Sequence, residues 1–168
     1  MADAFIYEVD TSQWETLMGE LNARKLKAAW KSGLRPSARK IQKGVVSELS
    51  TYHPAAYKYH KEVRIDLWSK GGGYTVELSQ GEISMALSKS GKLIEYSHLY
   101  ILRWLSSGTA ERYTKKGARR GRITGSMFFP KGVDKTTMPA IDGMAGDITK
   151  ALQRAAQRAR AAKANPQK

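Results

Sequence analysis

Apolar residues recur along this chain at two periods, and the switches between the periods mark out its elements. Val63, Ile65 and Leu67 alternate with Arg64, Asp66 and Trp68, and after Gly71, Gly72 and Gly73 the residues Tyr74, Val76 and Leu78 alternate with Thr75 and Glu77. Period two on both sides of a glycine turn predicts an antiparallel hairpin. Its buried face carries Val63, Ile65, Leu67, Tyr74, Val76 and Leu78, with residues 71–73 at the tip. A third strand is expected over residues 82–88, after which SGKLIEYS leads into the next element.

The helical period flanks this β region. Ser12 and Glu15 have the spacing of a capping box, followed by Trp14, Leu17, Met18 and Leu21 on one face. Leu26, Ala29 and Trp30 continue on a rotated face, which predicts a bend near Gly19 or two short helices, closed by Ser32 and Gly33. Pro36 suits a first helical turn, where its missing donor would be unpaired anyway; Ala38, Ile41, Val45 and Leu49 then form the stripe of a second helix ending before Pro54. Ile141, Met144, Ile148, Leu152 and Ala155 or Ala156 carry a long last helix with Pro139 in its first turn. Few large apolar groups follow, so residues 157–168 are expected to fray as a basic tail.

Between hairpin and last helix lies HLYILRWL, starting at His98, in which only His98 and Arg103 are polar. A helix apolar on nearly every side belongs inside, so Leu102 and Trp104 are expected to be buried. Ser106, Ser107, Gly108 and Thr109 end it. The elements together give an α+β fold: a small antiparallel sheet with a β-hairpin, packed by amphipathic helices, and a long C-terminal helix.

Composition sharpens this picture in three ways. At 168 residues the chain is expected to form one domain able to bury a core without staples. No cysteine is present, so disulfides and thiolate metal sites are excluded. The acidic start lacks the positive charge of a signal peptide and no apolar run approaches the roughly 20 residues of a membrane span, so a soluble protein with no membrane partner is expected.

The net charge of +14 is unevenly spread. Residues 1–20 hold Asp3, Glu8, Asp10, Glu15 and Glu20 and no base, an acidic arm most evident in residues 1–11. Arg112, Lys115, Lys116, Arg119, Arg120, Arg122 and Lys131 follow one another without an acid, and Gly117, Gly121 and Gly125 loosen the backbone among them. Such a run is expected not to fold on itself: residues 111–125 read as an extended basic loop, anchored by the preceding helix and by Met127, Phe128 and Phe129. Arg112, Lys115, Lys116, Arg119, Arg120 and Arg122 are the candidate contacts to DNA or to another subunit. Arg35, Arg39, Lys40 and Lys43, with Arg24, Lys25 and Lys27, form either a second basic surface or a solvated face.

Signals for chemistry are sparse. His53, His60 and His98 have no carboxylate or further histidine at a spacing that would complete a metal shell. Residues 71–73 lack the Lys-Ser/Thr pair of a phosphate loop. Tyr52, Tyr57 and Tyr59 among lysines suit base stacking, but a loop packed by its own tyrosines explains them as well. No Ser-His-acid or Cys-His set stands out, so neither an enzymatic activity nor a cofactor is expected.

A core segment ending in Gly108-Thr109, a polar loop, and Phe128-Phe129 leading into a closing amphipathic helix resembles the tail-component family of long-tailed bacteriophages, whose members act in tail completion and head-tail joining. The order of elements is similar over most of the chain. Two departures are visible: Leu105-Ser106-Ser107 stands where the family usually has an acid and an aromatic before Gly-Thr, and Phe128-Phe129-Pro130 stands where Pro-Phe is usual. The resemblance makes Trp104, Gly108, Thr109, Phe128 and Phe129 the structural motif. It implies a virion protein, assembled in the host cytoplasm into a ring, hexameric on this likeness, at the head-proximal end of the tail. Partners would be further copies of the chain, tail-tube and head-connector proteins, and the DNA in the lumen. A free basic nucleic-acid-binding protein is the alternative.

Overall fold

A computed structural model of the chain describes residues 21–69, 72–79, 83–88 and 90–164. The expected capping box at Ser12 and the acidic arm lie outside these residues, as do residues 165–168. The elements in order are α1 (Ala23–Tyr52), a 3-10 segment (Pro54–Glu62), β1 (Val63–Leu67), β2 (Tyr74–Leu78), β3 (Ile83–Leu87), β4 (Leu93–Ser97), α2 (His98–Ser107), β5 (Arg112–Tyr113), β6 (Arg119–Gly121) and α3 (Phe128–Ala164). Helix and strand mix as expected for an α+β chain, but the strands form three separate antiparallel pairs, β1-β2, β3-β4 and β5-β6, rather than one small sheet.

The frame is an antiparallel pair, α1 against α3. Asn22 caps α1 by accepting the Lys25 amide at 2.9 Å. The helix then runs unbroken through Ser32, Gly33 and Pro36, where sequence reasoning expected a break. The reason lies in the partner helix. A Cβ at Gly33 would fall 2.5 Å from the Ile148 Cα, and one at Gly132 would fall 2.5 Å from the Val45 Cα. Glycine here removes the side chain so that two backbones can touch, and that gain from packing outweighs its poor helix propensity. Between these crossings Ser37 is fully buried; its Oγ donates to the Ala140 carbonyl at 3.0 Å and lies 2.8 Å from the Tyr74 hydroxyl.

The last helix also starts earlier than expected, at Phe128 rather than near Pro139, and Pro139 lies inside it. It continues through Ala164 with Ala159 buried, so the described part of the expected frayed tail is helix packed on α1. Apolar packing gathers at both ends of the pair. One cluster joins Leu21, Ala29 and Leu34 to Ile148, Leu152 and Ala159; the other joins Val45, Leu49, Ala56 and Val63 to Leu102 and Phe128.

The β1-β2 hairpin lies on α1 in the register the alternation required, with Val63 opposite Leu78, Ile65 opposite Val76 and Leu67 opposite Tyr74. Arg64, Asp66, Thr75 and Glu77 face solvent while the apolar set turns inward. Gln42 fixes the hairpin by donating from Nε2 to the Val63 carbonyl at 2.7 Å. Gly72 takes a φ of +91° at the turn.

The short α2 departs from expectation. Its His98, Leu99, Leu102 and Ser106 are buried, but Tyr100 and Trp104 are exposed, Trp104 at 43%. The helix is one-sided: it covers the second cluster with one face and shows a pair of aromatic rings on the other. Sequence alone could not separate these faces, because both are apolar.

Candidate DNA- and subunit-contact surface

The basic stretch does fold on itself. The Gly117 amide donates to the Thr114 carbonyl at 2.9 Å and the Thr114 amide to the Ala118 carbonyl at 2.8 Å, so Lys115 and Lys116 sit at the crest of a tight turn closed by Gly117 at φ +81°. A turn followed by a glycine in the left-handed region is a recognised hairpin connection, and Thr-Lys-Lys-Gly is the signal that sequence reasoning passed over. The strands pair Arg112 with Gly121 and Tyr113 with Arg119 across a bulge.

An acid also belongs to this hairpin. Glu111 accepts from the Tyr113 hydroxyl at 3.0 Å and forms an ion pair with the Arg119 guanidinium. Arg119 is therefore spent on holding the hairpin, and the candidate contacts reduce to Arg112, Lys115, Lys116, Arg120 and Arg122, all exposed. Lys131, the last base of the run, is turned elsewhere: it donates to the Tyr52 hydroxyl at 2.9 Å and lies 4.3 Å from that ring's centre.

The Gly108-Thr109 motif holds the base of this hairpin. Gly108 ends α2 at φ +82°, its amide donating to the Trp104 carbonyl at 2.8 Å. Thr109 then grips Ile123 twice: its amide donates to the Ile123 carbonyl and its Oγ1 accepts from the Ile123 amide, each at 2.9 Å. A Cβ on Gly125 would fall 2.5 Å from the Ser107 carbonyl carbon, so only glycine lets the two strands of backbone pass. Ser126 and Met127 donate their amides to Leu105 and Ser106, and Phe128, fully buried, drives the start of α3 into the second cluster with Phe129 packed beside it. The motif residues thus build a rigid mount for a charged projection. Trp104 contributes only its carbonyl, and its side chain stands outside the mount.

A second basic region forms at the far end of the helix pair. Between Arg24 and Lys43, α1 carries eight bases and no acid. The antiparallel packing brings its first turns beside the last turns of α3, so Lys25 shares a groove of about 490 Å³ with Arg154 and Arg158 over a floor of alanines. Sequence reasoning treated these bases as a surface on one helix and a tail at the other end of the chain. Only the helix pairing joins them.

The three histidines are held separately. His53 Nε2 lies 2.9 Å from the Ser126 hydroxyl, and His60 Nδ1 lies 2.9 Å from the Tyr57 carbonyl. His60 stacks on Tyr57 within the segment, whereas Tyr59 leans on His98 of α2 and Tyr52 meets Lys131 of α3, so only part of the tyrosine packing is local. Among the described residues no group of three or more His, Asp or Glu is placed to hold a metal ion, and no helix is long and apolar enough to cross a membrane.

His98 has an arrangement that its distance along the chain from its neighbours hid. Its Nδ1 lies 3.6 Å from Glu62 and its Nε2 within hydrogen-bond reach of the Ser84 hydroxyl. Acid, imidazole and hydroxyl stand in the order of a hydrolytic triad. Yet His98 is only 8% exposed and its ring is flanked by those of Tyr59 and Tyr96. The set ties the 3-10 segment, β3 and α2 together at one buried point, which satisfies polar groups that burial would otherwise penalise. Comparison with protein-family models, with curated proteins and with solved structures gives no match to this chain.

Proposed function

We propose that the chain is a non-enzymatic structural subunit of a bacteriophage virion, forming a ring at the head-proximal end of the tail where completion and head-tail joining occur. The observation that carries this reading is the mounted basic hairpin. Five exposed bases are presented on a projection whose root is locked by Thr109, Gly108 and Gly125, as suits a contact with a polyanion passing at close range. The resemblance in element order and in Gly108-Thr109 and Phe128-Phe129 supplies the setting. A free nucleic-acid-binding protein is the second reading, favoured by the basic groove at Lys25, Arg154 and Arg158.

The test replaces Arg112, Arg120 and Arg122 together by alanine, leaving Arg119 to its ion pair with Glu111. The fold should be unchanged and the yield of joined, infectious particles should fall at least tenfold. Particles formed at normal titre would overturn the reading. Mass in solution separates the alternatives: the free binder runs as a monomer or dimer even on DNA, whereas the ring subunit assembles further.

A further inference from the structure

Among the described residues the β3-β4 hairpin meets the body near its base, where β4 runs into α2 and Ser84 meets His98. Its register places Ile83, Met85, Leu87 and Leu93 on one face and Ala86, Ile94 and Tyr96 on the other. All of these are exposed, Leu87 at 74% and Leu93 at 59%. An isolated two-stranded hairpin is marginal in water, and one apolar on both faces is less suited to stand free. Tyr100 and Trp104, exposed as well, extend this apolar surface beyond the hairpin.

The same surface carries a knob and a hole. Leu87 and Leu93 lie opposite each other at the hairpin tip, next to Lys92. At the hairpin base, Ile83, Tyr96, Tyr100, Ile101 and Trp104 line a groove of about 430 Å³ with Glu95 at its wall. A leucine side chain needs about four water volumes, or roughly 120 Å³, so two enter with room to spare. The tip cannot reach the groove of its own chain, because four residues of strand hold them roughly 13 Å apart.

We propose that the groove is filled by the hairpin tip of a second copy of this chain, Leu87 and Leu93 entering against Tyr100 and Trp104 while Lys92 meets Glu95. The contact is head-to-tail, leaving a joined pair one free tip and one free groove, and such contacts close into rings when the rotation allows. The inference deepens the ring reading by supplying the joint between subunits, and it rests on that reading only for its biological setting.

The experiment uses the full chain at graded concentration, read by sedimentation and native mass. The tip variant is Leu87→Glu with Leu93→Glu; the groove variant is Tyr100→Glu with Trp104→Glu. The unaltered chain should be heavier than a monomer at tens of micromolar, and each variant alone should be a monomer with unchanged helical circular dichroism. Mixed in equal amounts, the variants should form a one-to-one dimer and nothing larger, because one intact tip and one intact groove remain between them. That dimer would also show both variants to be folded. An unaltered chain that stays monomeric, variants that assemble like it, or a mixture that stays monomeric would each overturn the proposal. Rings that persist in both variants would sink this joint while leaving the ring reading intact; a mixed dimer with normal titre in the arginine variant would do the reverse.

Discussion

Gly33 lies against Ile148, and a Cβ placed there would meet backbone that cannot swing aside. Alanine normally gains about 1 kcal/mol over glycine inside a helix. At position 33 the sign should invert: Gly33→Ala is expected to cost about 1 to 3 kcal/mol, as overpacking does. Gly146, in α3 with open space where its Cβ would be, is the control, and Gly146→Ala should stabilise by up to about 1 kcal/mol. Denaturant melts of the two variants decide it, and equal shifts would mean that the helices do not cross at Gly33. The same scale separates two neighbours in α2. Leu102 is fully buried and Leu102→Ala should cost about 2 to 5 kcal/mol. Trp104, whose ring lies against Tyr100 on the open face, should cost no more than about 1 kcal/mol on truncation in the same melts.

Elements whose residues face one way could be read directly, and elements used twice could not. In β1-β2 every second side chain is apolar and the others are charged or polar, so strand, face and register all followed from alternation. The stripe Ala38, Ile41, Val45 and Leu49 likewise marked the inner face of α1. The boundaries failed at Gly33, which serves packing yet carries no local sign that Ile148 lies opposite it more than a hundred residues along the chain, and at Pro36, which α1 carries on its exposed side. The basic hairpin is hidden in the sequence for a different reason: glycines among bases read as slack, yet Gly117 closes a turn. Its mount gives a prediction at this scale. Thr109→Val keeps the shape but removes the acceptor for the Ile123 amide, at a cost of about 1 kcal/mol. Amide exchange should quicken at Ile123 and through residues 112–121 while α1 and α3 keep their protection. Uniform quickening across the helices would show that Thr109 supports the whole core and not the mount.

Across the whole molecule the charge is divided between two ends. The basic hairpin leaves the body beside Phe128, at the end of the helix pair where α1 finishes; Lys25, Arg154 and Arg158 lie at the other end. A helix of 30 residues is about 45 Å long, several times the screening length of about 10 Å at 0.1 M salt, so the two ends act independently on a polyanion. Residues 1–20 hold five acids and no base, without which the chain would carry +19 instead of +14. The hairpin presents five exposed bases and the groove three, which makes the hairpin the stronger attractor. Binding of duplex DNA should therefore weaken with salt mainly through the hairpin. Each phosphate contact contributes about 0.9 to the slope of log K against log salt, so neutralising Lys115, Lys116 and Arg120 should lower the slope by up to about 2.7. Neutralising Lys25, Arg154 and Arg158 should lower it by less than the hairpin variant does. A larger loss from the groove variant in the full chain would put the DNA at the helix end and return the hairpin to solvent or to a neighbouring subunit.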